Sequence, residues 1–111
     1  MRTPARQDLL EFVLHTIKLV RPLVEAVARR DRDLASQIRR AMSSVALNAA
    51  EGFGTASGNA RLRFEAARGS LYEARAGLRV AVAWGVLAKE QTAPALAAID
   101  RLGGRVYGLL R

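Results

Sequence analysis

A repeat of small and apolar residues between positions 60 and 81 restricts the fold more than any other feature of the chain. The residues recur at alternating steps of four and three, which places them on one face of a helix: Ala60, Phe64, Ala67, Leu71, Ala74, Leu78 and Ala81. We call these residues the inner seam. A seam of this kind packs against other helices at the shallow crossing angle of a left-handed bundle.

Similar spacing predicts a first helix from about Gln7 to Arg29. Its predicted inner face consists of Leu9, Val13, Ile17, Val20, Val24 and Val27. Pro22 lies inside this segment and is expected to kink or break the helix, because proline lacks the N–H of the helical hydrogen bond. Apolar residues also occur on other faces of this helix, which predicts a homo-oligomer that buries them: Phe12, Leu14, Leu19 and Leu23.

Two further helices flank the inner seam. The second is predicted to begin at a capping Asp31 or Asp33 and to end near Gly52. The fourth is predicted to begin near Thr92, with Pro94 in its first turn. Their predicted inner residues are Leu34, Ile38, Ala41, Val45, Leu96, Ile99, Leu102, Val106 and Leu109. With no strand pattern, the sequence predicts an all-α, antiparallel up-and-down four-helix bundle, more than two-thirds helical, with residues 1–111 in one domain.

The charge balance is strongly basic. Lysine and arginine number 18 against 10 acidic residues, for a net charge of +8. This excess favours a partner rich in phosphate or carboxylate groups, which the planar guanidinium of arginine suits. The chain has no cysteine, which excludes disulfides, thiolate zinc sites and cysteine nucleophiles. We expect a cytoplasmic protein, since no signal peptide or membrane-spanning segment is apparent.

Residues that could carry catalysis are few and poorly spaced. His15 is the single histidine, and Leu19 stands where a helical metal pair would need a second ligand. Glu65 and Glu73 are about 12 Å apart along a helix, and no Glu-x-x-His motif accompanies them. We therefore expect no enzyme activity, no metal and no cofactor.

Four arginines form a row along the third predicted helix, away from the inner seam: Arg61, Arg68, Arg75 and Arg79. We predict that this arginine row, with Arg39, contacts the phosphates of RNA. No aromatic platform for stacking single-stranded bases is expected, so binding should depend on phosphate and shape. The alternative is a protein-interaction scaffold whose charges are only solvated.

Polar and small residues inside the second and third helices are predicted to hold the two together. Asn48 follows the inner residue Val45 and should be hydrogen-bonded. A packing reason is expected for Gly69 beside Ser70, because glycine disfavours helix. An antiparallel arrangement about residue 55 predicts an ion pair between Arg40 and Glu73.

These residues also resemble a known family. The motif comprises Arg39-Arg40-Ala41, Ser44 and Asn48-Ala49-Ala50-Glu51-Gly52, followed by Arg63-Phe64, Ala67, Gly69-Ser70-Leu71, Glu73 and Gly85-Val86-Leu87. It is similar to the four-helix-bundle proteins encoded in intervening sequences of bacterial 23S rRNA genes, described as ribosomal-protein-like and related to the accessory variability determinant proteins of diversity-generating retroelements.

The resemblance implies an up-and-down bundle, a homopentamer and RNA binding without catalysis. The signature residues implied by the motif are Arg40, Ser44, Asn48, Glu51, Gly52, Gly69, Ser70 and Glu73. The chain departs from the family before the second helix, where Arg29-Arg30-Asp31-Arg32-Asp33 replaces a proline-containing, acidic connection.

Overall fold

The computed structural model describes the backbone of residues 4–54 and 57–111 and the side chains of residues 8–54 and 58–111. Four helices take up most of this range, and no strand occurs within it. They are α1 (Pro4–Ala28), α2 (Arg32–Gly54), α3 (Ser57–Ala83) and α4 (Lys89–Leu110). The predictions of an all-α fold and of more than two-thirds helix are confirmed.

Consecutive helices pack side by side, and α4 returns to α1, which closes an up-and-down bundle. The bundle measures 43 × 22 × 22 Å. None of its helices, over the part of the chain that the structure describes, is long and apolar enough to cross a membrane.

The inner seam faces the core, as predicted. Ala60 is half-buried, and the other residues of the seam are buried. The core also contains predicted residues of α2 and α4: Ile38, Ala41, Val45, Ile99, Leu102 and Val106. The prediction for Leu109 is wrong, because its side chain is 38% exposed and the next residue, Leu110, is buried instead. One residue turns a helix by about 100°, which is enough to exchange the two positions.

α1 differs from its prediction in two ways. It runs through Pro22 as a single helix, so the predicted break does not occur. Pro22 lies on the exposed side, where water can satisfy the carbonyl that proline leaves without a partner. The buried stripe also includes Thr16 and Leu23, whereas the predicted Ile17 and Val24 are only half-buried.

α2 begins as predicted and ends two residues beyond the predicted Gly52. The Asp31 carboxylate accepts the N–H of Leu34 at 3.0 Å, so Asp31 caps the helix as predicted. At the other end α2 continues past Gly52 to Gly54. A Cβ on Gly52 would lie 2.6 Å from the Phe64 ring, so this glycine allows α3 to pack closely. Residue 55, about which the antiparallel arrangement was predicted, lies with residue 56 outside the described residues.

A tight turn joins α3 to α4. Gly85 has φ of +77°, a conformation that favours glycine. The N–H groups of Gly85 and Val86 donate to the carbonyls of Val82 and Ala81, which forms a Schellman motif. α4 begins at Lys89, earlier than predicted, because the Gln91 side chain accepts the N–H of Ala88. The prediction placed Pro94 in the first turn of α4. Because the helix begins earlier, Pro94 lies beyond that turn.

Candidate nucleic-acid interface

Three of the four arginines in the row on α3 contact α4. The Arg75 Nε atom is 2.8 Å from Oδ1 of Asp100, and an Arg61 nitrogen donates to the carbonyl of Leu110. Arg61 also forms an ion pair with Glu65 on its own helix, at 3.4 Å. The contacts of Arg61 and Arg75 therefore help to attach α3 to α4, which reduces their freedom to reach a ligand.

Arg68 occupies the middle of the row and contacts two tyrosines. Its guanidinium carbon is 5.2 Å from the ring centroid of Tyr72 and 5.0 Å from that of Tyr107. An Arg68 nitrogen donates to the Tyr72 hydroxyl at 2.9 Å. The spacing of Arg68 and Tyr72 on one helix could have indicated their contact, but Tyr107 comes from α4. The expectation that the chain has no aromatic platform overlooked this cluster, because its two rings come from different helices.

Arg79 differs from the other members of the row. Its side chain is exposed, and it forms no ion pair with any carboxylate among the described side chains. The register that sets Arg75 against Asp100 brings Leu96, an apolar residue, to the level of Arg79. Its guanidinium therefore remains available to an external anion.

A polar groove on α2 contains Arg39. The groove has a volume of about 460 Å³, and we call it the serine groove: it is lined by Ser36, Arg39, Arg40, Ser43, Ser44, Leu47, Asn48, Glu51 and Arg63. Arg39 and Arg40 are exposed, and neither forms an ion pair within residues 8–54 and 58–111. Hydroxyl groups beside unpaired guanidinium groups suit a phosphate.

The predicted ion pair between Arg40 and Glu73 is wrong. Both side chains are exposed to solvent, where an isolated pair gains little. The ion pair that does form between the two helices joins Arg63 to Glu51, with Nε and Oε2 3.0 Å apart. It lies about one heptad from the level at which Ser44 meets Ser70.

A small hydrogen-bond network joins α2 to α3 beside this groove. The Ser70 hydroxyl donates to Oγ of Ser44 at 2.9 Å. The Asn48 amide donates to the same Oγ at 2.9 Å and to the Ser44 carbonyl at 3.0 Å. The polar signature residues Arg40, Ser44, Asn48 and Glu51 thus line one groove, and Ser70 touches it through Ser44.

Replacing Asn48 with alanine is expected to lower the free energy of unfolding by about 1 kcal/mol, because Ser44 keeps Ser70 as a partner but no longer has the amide. Urea unfolding of the two proteins measures the difference. Ser36→Ala, which removes a hydroxyl from the same groove outside this network, is the matched control. An Asn48→Ala protein that keeps its stability but no longer binds ligand would contradict the structural role.

Gly77, like Gly52, permits close packing of α3 on α2. A Cβ on Gly77 would lie 2.6 Å from Cγ1 of Ile38. Gly69 was expected to have a packing role, but a Cβ on it would meet no atom within 4 Å. The prediction for Gly69 is therefore wrong: the residue faces solvent on the outer side of α3.

Exposed residues on the outer side of α3 repeat with the same spacing as the inner seam. Each of them follows a residue of the inner seam by two positions. We call them the outer seam: Leu62, Ala66, Gly69, Glu73, Ala76 and Val80. Leu62 is 63% exposed and Val80 42%. Glu73 is the one charged residue, so α3 is apolar or small on two opposite faces, and only one of them is covered by this chain.

The described side chains include no group of three or more His, Cys, Asp or Glu residues that could hold a metal ion. His15 is exposed on α1.

Comparisons with known proteins agree with this architecture. A crystal structure of a protein with unknown function, from the S23 ribosomal protein family of Bacteroides thetaiotaomicron, superposes with a TM-score of 0.79 over 96% of this chain and 98% of that one. The two are 14% identical, so the likeness concerns the fold. No curated protein matches the sequence. The model of the family described as 23S rRNA-intervening sequence protein matches residues 5–108. The chain therefore belongs to the 23S rRNA-intervening sequence protein family.

Proposed function

We propose that this chain is a non-catalytic RNA-binding protein that holds its ligand through phosphate groups. The observation that carries this proposal is the large number of arginines that have no acidic partner among the described side chains. The net charge is +8, and the described side chains form four ion pairs. Neutralising phosphates with such groups releases counterions, which drives binding of nucleic acid. We place the protein in the cytoplasm, where this ligand would be met.

The serine groove is the best-supported contact surface. Arg39 and Arg40 are adjacent, exposed and free of carboxylate partners among the described residues. Ser36 and Ser43 add hydroxyl donors at the same surface. Arg79, which also has no carboxylate partner among the described side chains, supplies a further guanidinium. Arg61, Arg68 and Arg75 remain predicted contacts. We expect each to contribute less to RNA binding than Arg39 or Arg40, because each already has a partner within the chain.

Self-association would multiply these contacts. The outer seam supports it, since an apolar heptad face on a helix favours a second helix. Glu73 in this seam and Arg40 on α2 both lack ion-pair partners within the described chain, so a second copy could pair them. We propose a homo-oligomer, and the family resemblance favours five copies. Several copies of a +8 chain would bind one RNA with the gain of multivalency.

The proposal is tested by a salt titration of binding to a structured RNA. Replacing Arg39 and Arg40 with glutamine is expected to weaken binding about tenfold or more at low salt, and to reduce the salt slope by about one for each phosphate that the variant no longer neutralises. Lys18→Gln with Arg101→Gln is the matched control, because it removes the same charge from exposed positions on α1 and α4.

Two results would count against the proposal. If both variants weakened RNA binding equally, the groove would contribute to binding only through the net charge of the protein. No binding by the wild-type protein even at low salt would reject RNA as the ligand. A protein-interaction scaffold, favoured by the exposed outer seam, would then be the better description of the chain.

A further inference from the structure

The two tyrosines around Arg68 border a cleft between α3 and α4. We call it the tyrosine cleft: it has a volume of about 280 Å³ and is lined by Arg68, Leu71, Tyr72, Arg75, Ile99, Asp100, Gly103, Gly104 and Tyr107. Tyr72 is 56% exposed and Tyr107 48%, so much of each ring remains in water. Arg111 also lies against Tyr107, 5.8 Å from the ring centroid. Aromatic rings and guanidinium planes are the surfaces on which unpaired nucleobases stack.

Two glycines in α4 line the cleft. A Cβ on Gly104 would meet no atom within 4 Å, and one on Gly103 would make an ordinary contact with Leu71 at 3.6 Å. Packing within the chain therefore requires neither glycine, although glycine disfavours helix. Bare backbone at this position lets a flat ligand approach α4 closely.

The charges beside the cleft suit a nucleotide. Asp100, the acidic residue in the lining, is paired with Arg75 at 2.8 Å. Arg68 has no carboxylate partner among the described side chains, so its positive charge is not cancelled. A base in the cleft would thus have a guanidinium group near its flanking phosphate.

We propose that the tyrosine cleft binds an unstacked base of single-stranded RNA. The proposal rests on the RNA-binding function above and narrows its ligand from phosphate on any RNA to unpaired nucleotides. Tyr72 and Tyr107 supply the stacking surfaces, Arg68 holds the two rings in place, and Gly104 gives the base access.

The test compares a short oligoadenylate with an abasic strand that has the same number of phosphates. The wild-type protein is expected to bind oligoadenylate about tenfold more tightly, because only this strand can stack. Tyr72→Leu with Tyr107→Leu should remove this preference and leave binding of the abasic strand unchanged. The matching Tyr→Phe pair should retain the preference, since it keeps both rings.

Gly104→Leu provides a second variant, which fills part of the cleft and leaves both tyrosines in the sequence, and it too should bind both strands equally. Equal binding of the two strands by the wild-type protein would overturn the stacking proposal while leaving phosphate binding intact. Retained preference in the Tyr→Leu or Gly104→Leu protein would also overturn it. Failure to bind either strand at low salt would instead reject the proposed function, and the cleft proposal with it.

Discussion

A protein with glutamate in place of Leu62 and Val80 is expected to be monomeric under conditions where the wild-type chain forms its proposed homo-oligomer. Both side chains are exposed in the single chain, so the substitutions should leave the bundle folded. In an assembly through the outer seam, each copy would bury two further carboxylates in an apolar contact, which is strongly unfavourable. Light scattering at micromolar concentration measures the mass.

Leu14→Glu is the control for this experiment. Leu14 is 45% exposed on α1, but the chain itself covers most of the apolar surface that the sequence predicted to be spare on this helix: Leu23 is buried, and Phe12 and Leu19 are half-buried. We expect this variant to keep the mass of the wild-type protein. Dissociation by Leu14→Glu but not by the α3 substitutions would move the interface to α1. A wild-type monomer would reject self-association altogether.

Gly77→Ala is expected to lower the free energy of unfolding by up to about 2 kcal/mol, because the steric cost of about 1–3 kcal/mol is partly offset by the helix preference of alanine. The added methyl group would lie 2.6 Å from Cγ1 of Ile38, a β-branched side chain that is 1% exposed and has little room to move. This steric cost outweighs the preference of a helix for alanine, which is about 1 kcal/mol.

Gly108→Ala is the matched substitution in open space, since no atom lies within 4 Å of its added Cβ. It should raise the stability by up to about 1 kcal/mol through helix preference alone. Denaturant unfolding of both variants tests whether the free energy of unfolding falls in Gly77→Ala and rises in Gly108→Ala. A stabilised Gly77→Ala protein would show that α2 can shift away from α3 at little cost.

The fold could be predicted because its signals are local. The inner seam and the capping Asp31 each depend on residues within a few turns of helix. The errors in the predicted buried residues occurred where two neighbouring positions could both face the core. Thr16 and Leu23 are buried in place of Ile17 and Val24, because a one-residue rotation of α1 changes which side chains the other helices cover.

The candidate interface was harder to predict because it depends on partners distant in the sequence. The arginine row was visible from its spacing, but its contact with Asp100 requires the register between α3 and α4. The aromatic cluster requires the same register, since Tyr72 and Tyr107 are on different helices. The spacing of residues along one helix shows which of them share a face. Only the packed bundle shows which charged residues on that face remain without a partner.

The heptad spacing of the arginine row leaves the surface contacts between α3 and α4 degenerate. Sliding α4 by one heptad, about 10 Å, would set Asp100 against Arg68 and Tyr107 against Arg61, so both kinds of contact could form again. These contacts stabilise the packing of α3 against α4 but do not determine which of the two alignments forms. The choice falls partly on the turn at Gly85, which is too short and too firmly hydrogen-bonded to span the extra distance. A lengthened turn would remove that constraint and leave the alignment to the buried side chains alone.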